Sequence, residues 1–186
     1  MLERVHSNDP EKFGKYHEVF SFGKIKTENP QYIRESEKCG GLDAYRKWGC
    51  AIELVKKYQP FDPTNPQKPF LKDLKLEMAE VLGLESDEDM DRIKIYTAVN
   101  SILDIDFGID GFIEFEDKDG KIRMLTLDVT RNKAKIEDDA FRADMPIDDI
   151  PDIITEKTEY FEYLRVWAEK AAKIIQTKKP EENYYD

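Results

Sequence analysis

The sequence predicts an α/β fold, in which a central mixed β-sheet is built around a hairpin at residues 109–132 and flanked by helices. Two segments of strand composition surround a turn signal within that hairpin. Several other segments carry the three- and four-residue apolar spacing of amphipathic helices. With 186 residues, 40% of them hydrophobic, the chain is long enough for one domain with a sizeable core.

The proposed hairpin turns at Asp117-Lys118-Asp119-Gly120, which suits a type I turn followed by a glycine in the left-handed region. In the resulting register Phe112 faces Thr126, Glu114 faces Met124 and Asp110 faces Asp128. Apolar side chains of both strands then share the other face and predict a core, namely Ile113, Phe115, Leu125, Leu127 and Val129.

The opposed pair Asp110 and Asp128 is the first candidate site. Two facing carboxylates repel each other, and a divalent cation between them would offset that cost. Mg²⁺ and Mn²⁺ favour such hard oxygen ligands. The alternative follows from a one-residue change in the turn. Both aspartates would then be staggered, solvated positions on a half-exposed hairpin.

The motif around these aspartates is Gly108-Ile109-Asp110, seventeen intervening residues, and then Asp128-Val129-Thr130. It resembles the PD-(D/E)XK phosphodiesterase superfamily, which includes restriction endonucleases, Holliday-junction resolvases and repair nucleases. The resemblance implies that Asp110 and Asp128 bind Mg²⁺ or Mn²⁺ and act in catalysis. Thr130 stands where the family usually has a lysine that orients or activates the attacking water. Its hydroxyl can hydrogen-bond a water but is no general base near neutral pH.

The same resemblance implies further site residues. A helix before the metal-bearing strands often supplies another acid, for which Glu77 and Glu80 are candidates with Asp91 behind them, and we assign Glu80 as the third ligand. A solvated helix face is the alternative for each of these three acids. Asp106, four residues before Asp110 in the expected strand at 101–107, is a further candidate ligand if the chain bends at Gly108.

Lysines near the hairpin and in the last helix are candidates for contact with nucleic acid. Lys133 and Lys135 follow the second strand, and with Lys121 they are also the candidates to replace the missing lysine charge. Lys170 and Lys173 belong to the strongest local basic patch. Ordinary solvated lysines are the alternative.

The formal net charge of −11 does not favour general nucleic-acid binding, although one local basic groove would be compatible with it. The sequence therefore supports two functions. One is a metal-dependent phosphodiesterase acting on nucleic acid. The other is a non-catalytic acidic protein of the same fold that binds a basic protein partner through residues 137–149 and so acts against a nucleic-acid enzyme. A purely structural protein is a third hypothesis, and solubility alone is an alternative explanation of the charge.

No apolar run approaches the ~20 residues of a membrane span, and the first residues lack the apolar core of a signal peptide. We therefore expect a cytoplasmic protein without membrane contact. Cys39 and Cys50 form no C-x-x-C pair and have no nearby histidine, so we expect free, partly buried thiols.

We expect residues 1–186 to form a single domain. Residues 1–58 are an N-terminal extension with a strand at 17–27 and helices at 30–38 and 42–58. A proline-rich connection at 59–69 leads to a core at 70–180, and residues 181–186 form a disordered tail.

Within the core we expect four further elements. They are a helix at 70–82, a helix that Ser86 caps and that runs through Ile102, a short strand at 101–107, and a long helix from Asp152 or Thr155 to Lys179. The superfamily core would include another strand after Asn132, but no convincing strand pattern is present there.

Overall fold

The computed structural model describes residues 10–129 and 143–180. The strands are β1 (Ile93–Thr97), β2 (Gly111–Glu116), β3 (Ile122–Val129) and β4 (Met145–Ile147). The helices are α1 (Pro10–Phe22), α2 (Pro30–Gly40), α3 (Ala44–Lys57), α4 (Pro69–Leu82), α5 (Asp87–Met90), α6 (Ile102–Phe107) and α7 (Lys157–Thr177).

The four strands form one mixed sheet in the order β1-β2-β3-β4. The first three are antiparallel, and β4 runs parallel to β3. The predicted hairpin register is confirmed, because Phe112 pairs with Thr126 and Glu114 with Met124. At the turn, Gly120 has a φ of 75° and the Asp117 N–H donates to the Lys121 carbonyl at 2.9 Å. The turn chemistry therefore set the register that the sequence predicted.

Both faces of the sheet are buried against helices, which confirms the predicted α/β class. On one face, α4 and α7 cover the apolar residues of all four strands, and Phe22 at the end of α1 joins this core. This cluster contains the whole predicted hairpin core: Ile113, Phe115, Leu125, Leu127 and Val129. On the other face, α2, α3 and α6 cover Tyr96, Phe112 and Met124. The half-exposed hairpin that was the alternative reading is therefore wrong.

The proline-rich loop at 59–69 protects the free edge of β1. The Gln59 side chain donates to the Thr97 carbonyl at 2.8 Å and accepts from the Thr97 N–H at 3.0 Å. Further along, the Ile95 N–H donates to the Pro63 carbonyl at 2.9 Å. A side-chain amide and a loop carbonyl thus satisfy backbone groups that an edge strand would otherwise leave open to another chain.

The strand expected at 17–27 is wrong, because α1 continues to Phe22. The apparent alternation also fits helical spacing, in which Val19 and Phe22 face the core while Phe20 is 65% exposed. Gly23 then ends the helix with a φ of 81°, and its N–H donates to the Val19 carbonyl at 3.0 Å. A segment as short as residues 17–27 does not distinguish the two-residue period of a strand from the 3.6-residue period of a helix.

The long helix expected after Ser86 is also wrong. Ser86 caps a helix of only four residues, and Ile93–Thr97 then pairs with β2 as a strand. The sequence Ile-Lys-Ile-Tyr-Thr has the β-branched and aromatic composition of strands. Pairing with β2 therefore favours a strand over a helix at these residues.

Residues 101–107 form a helix rather than the expected strand. The Ser101 side chain accepts hydrogen bonds from the backbone N–H groups of Leu103 and Asp104, and Gly108 ends the helix with a φ of 66°. These two capping residues favour a helix more strongly than the apolar alternation favours a strand. As a result, Ile105 is 74% exposed.

The strand β4 was missed by sequence analysis. It has three residues, Met145-Pro146-Ile147, and a proline at its centre. Such a short segment gives no periodicity. Proline is accepted because, among the described strands, β4 pairs with β3 alone and needs no donor on its other side.

The prediction of two free thiols is wrong as well. Cys39 at the end of α2 and Cys50 in α3 form a disulfide, with Cα atoms 5.7 Å apart. The glycines that follow Cys39 turn the chain back, so that α2 and α3 pack as a pair and bring the two residues together. The bond fixes this helical pair over the sheet.

The other predicted helices are confirmed with small shifts in their ends. Asn29 caps α2, Asp43 caps α3, and Gly83 ends α4 in the left-handed conformation. The C-terminal helix is α7, which begins and ends slightly inside its predicted range. Within residues 10–129 and 143–180, none of the helices combines the length and apolar character needed to cross a bilayer.

Substituting Gly111 by alanine should destabilise the protein, because a Cβ there would lie 2.8 Å from the Phe22 ring and 2.7 Å from the Tyr96 carbonyl oxygen. Overpacking of this kind costs about 1–3 kcal/mol of unfolding free energy, measurable by urea denaturation. Gly40→Ala is the matched control, because a Cβ at Gly40 has nothing within 4 Å. Equal stability of the two variants would contradict this packing.

Reduction of the disulfide should lower the unfolding free energy by about 3 kcal/mol, because the bond closes a loop between cysteines 11 residues apart. The measurement is urea denaturation with and without a reductant. Thiol titration in denaturant should detect no free thiol before reduction. Two reactive thiols in the unreduced protein would contradict the assignment.

Candidate functional site

The candidate site lies where β2 begins and β3 ends, and Asp110 is its most buried group. This residue directly precedes β2 and is 3% exposed. Its backbone is held on both sides, since its N–H donates to the Leu127 carbonyl at 2.9 Å and its carbonyl accepts from the Ala98 N–H at 2.7 Å. Its carboxylate oxygen Oδ2 accepts from the Val129 N–H at 2.8 Å. Asp110 is therefore fixed by hydrogen bonds to the two neighbouring strands, β3 and the extension of β1.

The position of Asp110 differs in detail from the predicted register. The β2–β3 ladder ends at the Gly111–Leu127 pair, so Asp110 and Asp128 are not a ladder pair. The Asp110 N–H donates a hydrogen bond to the Leu127 carbonyl, and the Asp110 carboxylate accepts one from the Val129 N–H. One oxygen of this carboxylate therefore occupies the position of a backbone acceptor at the end of the hairpin.

Electrostatics around Asp110 are unfavourable for its charged form. Burial raises the pKa of the Asp110 carboxyl well above its ordinary value of 3.8, and the carboxylates of Glu18, Asp128 and Asp104 raise this pKa further. The hydrogen bond from Val129 acts in the opposite direction. Like charges from α1, α6 and β3 therefore act on one buried acid.

The neighbouring acids come from distant parts of the sequence. Asp128 is half-buried on β3, opposite Pro146 of β4. Asp104 in α6 accepts a hydrogen bond from the Asn100 N–H at 2.7 Å. Glu18 lies on α1, in a segment that the sequence assigned to a strand, so no sequence pattern connected it with the hairpin. Sequence analysis therefore missed Glu18 and Asp104 as neighbours of Asp110.

Other predicted ligands lie in different surroundings. Glu80 is exposed on α4, where it borders a surface groove with Leu84 and Met90. Asp106 forms an ion pair with Lys47 at 2.8 Å. Within the described parts of the chain, no group of three or more His, Cys, Asp or Glu side chains is arranged to hold a metal ion.

The predicted basic residues divide into two sets. Thr130, Lys133 and Lys135 lie outside the described residues. Lys170 and Lys173 are exposed on α7, and the Lys170 ammonium lies 4.5 Å from the centre of the Trp167 ring. A cation–π contact of this kind leaves the charge at the surface.

A second buried polar group lies farther along β2 and was also missed. Glu114 is 5% exposed, pairs with Lys56 of α3 at 2.6 Å, and accepts a hydrogen bond from the Tyr96 hydroxyl at 3.1 Å. Burial and the Glu114 charge raise the pKa of Tyr96, so this phenol stays protonated as a donor. This network has all its members paired and serves to anchor α3 to the sheet.

Comparison of the chain with protein-family models, with curated proteins and with solved structures finds no match.

Without metal, Asp110→Asn should be more stable than wild type at neutral pH, because the amide removes the cost of a buried carboxylate. The folded pKa is raised, so the folded protein binds this proton more tightly than the unfolded chain does. Wild-type stability should therefore fall as the pH rises from 3.8 towards the folded pKa, and the difference from Asp110→Asn should close below 3.8.

Urea denaturation over a pH series, in the presence of a chelator, measures this difference. Asp119→Asn in the exposed hairpin turn is the control and should follow the wild-type curve. An Asp110→Asn curve that parallels the wild type at every pH would refute the raised pKa.

Proposed function

We propose that the protein is a divalent-metal-dependent phosphodiesterase that acts on nucleic acid, with Mg²⁺ or Mn²⁺ at Asp110 and Asp128. The Asp110 carboxyl is the observation that carries this proposal. Its burial and the carboxylates around it raise its pKa, and a bound cation would offset both costs. A bound cation would therefore account for an acid in these surroundings.

The donors at this position fit a hard divalent cation. Mg²⁺ is commonly bound by one or two carboxylates, with water and substrate phosphate completing its coordination. Asp110 and Asp128 supply two carboxylates from the adjoining ends of β2 and β3. Among the neighbouring charges Glu18 has the largest effect on Asp110, so it adds negative charge to the surroundings of the ion. Because the described residues hold no group of three such acids arranged around an ion, water and substrate phosphate would complete the coordination.

Two features of the fold agree with the PD-(D/E)XK resemblance. The sheet is mixed and flanked by helices on both faces. The strand β4 supplies the additional strand that the sequence pattern lacked. These features support the resemblance at the level of architecture, and the chemistry of the site remains our proposal.

The proposed roles follow from the position of each residue. A divalent ion at this site supplies positive charge that polarises a phosphodiester. Asp110 is a rigid ligand because its backbone and one carboxylate oxygen are held by β-sheet hydrogen bonds. Thr130 would hydrogen-bond the attacking water, and Lys121, Lys133 or Lys135 would supply the missing cation. Lys170 and Lys173 would contact phosphates.

The cellular location remains part of this proposal. We propose a cytoplasmic location, as for a nucleic-acid enzyme. Free thiols do not support this location, because Cys39 and Cys50 form a disulfide. Disulfides persist mainly in oxidising compartments and are rare in the cytosol. The redox state of this pair in cells would test the assignment directly.

Mn²⁺ should stabilise the wild type and support cleavage of DNA or RNA. For a dissociation constant of about 1 mM, ~10 mM Mn²⁺ adds roughly 1.4 kcal/mol. This stabilisation corresponds to a shift of the thermal midpoint by about 3–6 °C. Asp128→Asn should lose both the shift and the cleavage, because one of the two ligands is neutralised. Thermal unfolding and a nuclease assay measure the two effects.

Asp119→Asn removes one carboxylate from the exposed turn and should keep both responses. Equal midpoint shifts in wild type and Asp128→Asn would remove this metal site. A shift that depends on Asp128 without cleavage of any nucleic acid would keep the metal site. That result would point to the alternative, a non-catalytic protein that binds a basic partner.

A further inference from the structure

A surface groove between the end of α4 and α5 lies away from the proposed catalytic site. The cavity has a volume of ≈370 Å³. Its apolar lining comes from Leu76, Ala79, Leu84 and Met90, and its acidic lining from Glu80 and Glu85. Leu76 is 49% exposed although it is a large apolar side chain on a helix that otherwise buries one face. The groove thus exposes Leu76 beside Leu84 and Met90, which are partly buried against the core.

The charge at this groove is unfavourable for the protein alone. Glu80 lies in the last turn of α4, where the helix dipole presents its negative end, and no basic residue is present in that turn. Cations are the stabilising residues at a helix C-terminus, and a carboxylate there is destabilising. The next residues along the chain add Glu85, Asp87 and Glu88.

Two cations on the neighbouring segments are engaged elsewhere. Lys75 pairs with Asp91 at 3.4 Å, and Arg92 pairs with Asp89 at 3.4 Å. Glu80, Glu85 and Glu88 take part in no ion pair within the described parts of the chain. The rim of the groove therefore holds carboxylates without an internal counter-charge, next to an apolar floor.

We propose that this groove binds a basic peptide segment of a partner protein, one that places an apolar side chain on Leu76, Leu84 and Met90 and its lysines or arginines against Glu80 and Glu85. Apolar burial supplies the attraction, and the acidic rim selects a cationic sequence. This inference is independent of the metal site, because it uses none of the residues around Asp110.

Charge argues against two other occupants. A second copy would bring another net charge of −11 to the same contact. The chain's own C-terminal tail, Glu-Glu-Asn-Tyr-Tyr-Asp, carries three acids and no base. Only a cationic segment complements both the apolar floor and the acidic rim.

The probe is a fluorescent amphipathic peptide of about four helical turns, with leucines on one face and lysines on the other. Fluorescence anisotropy with the full chain measures its affinity. Replacing the leucines with serines keeps the charge and should weaken binding at least about tenfold, since the apolar anchor is lost. Amide chemical shifts in an NMR titration should change at Leu76, Leu84 and Met90.

The double variant Glu80→Gln/Glu85→Gln should weaken binding by about three- to tenfold. The matched control is Glu28→Gln/Glu162→Gln, which removes two exposed carboxylates elsewhere and should change affinity less than about twofold. Equal weakening by both double variants would show general attraction to an acidic protein and would overturn the proposal. Shift changes confined to another surface, or self-association that blocks the groove, would overturn it as well.

Discussion

Burial of the sheet on both faces is the constraint that organises this structure. Because α4 and α7 cover one face and α2, α3 and α6 cover the other, each polar side chain on a strand needs a partner inside the protein. Thr126 shows how this is met: its N–H and hydroxyl both bond to the Asp144 carboxylate, at 2.8 and 2.7 Å. The polar residues of the sheet are therefore fixed in position.

Asp110 and Glu114 solve this problem in different ways. Glu114 forms an ion pair with Lys56 and accepts a hydrogen bond from the Tyr96 hydroxyl, so its charge is balanced within the fold. The Asp110 carboxylate accepts one backbone hydrogen bond, and the acids around it disfavour its negative charge. This difference separates a structural carboxylate from a candidate functional one, because a buried acid among acids gains most from an external cation.

The two proposed sites use acidity for different purposes. Asp110 is buried and held by the sheet, and Asp128 beside it is half-buried, which suits a small ion of fixed geometry. At the α4–α5 groove the carboxylates are exposed beside an apolar floor, which suits a flexible cationic side chain on a larger partner. A protein with a formal net charge of −11 would in this way divide its charge between a metal site and a protein interface.

The sequence by itself determined the hairpin, its register and most helix ends, because turn residues, caps and apolar spacing act locally. It also named Asp110 and Asp128 as candidates, although they do not form the expected ladder pair. Only the tertiary structure decided that residues 93–97 are a strand, that Glu18 approaches Asp110, that Glu80 borders a groove, and that Cys39 meets Cys50. These outcomes depend on contacts between segments far apart in the chain, where pairing with β2 or packing of one helix on another outweighs local preference. Local pattern contains no information on such distances.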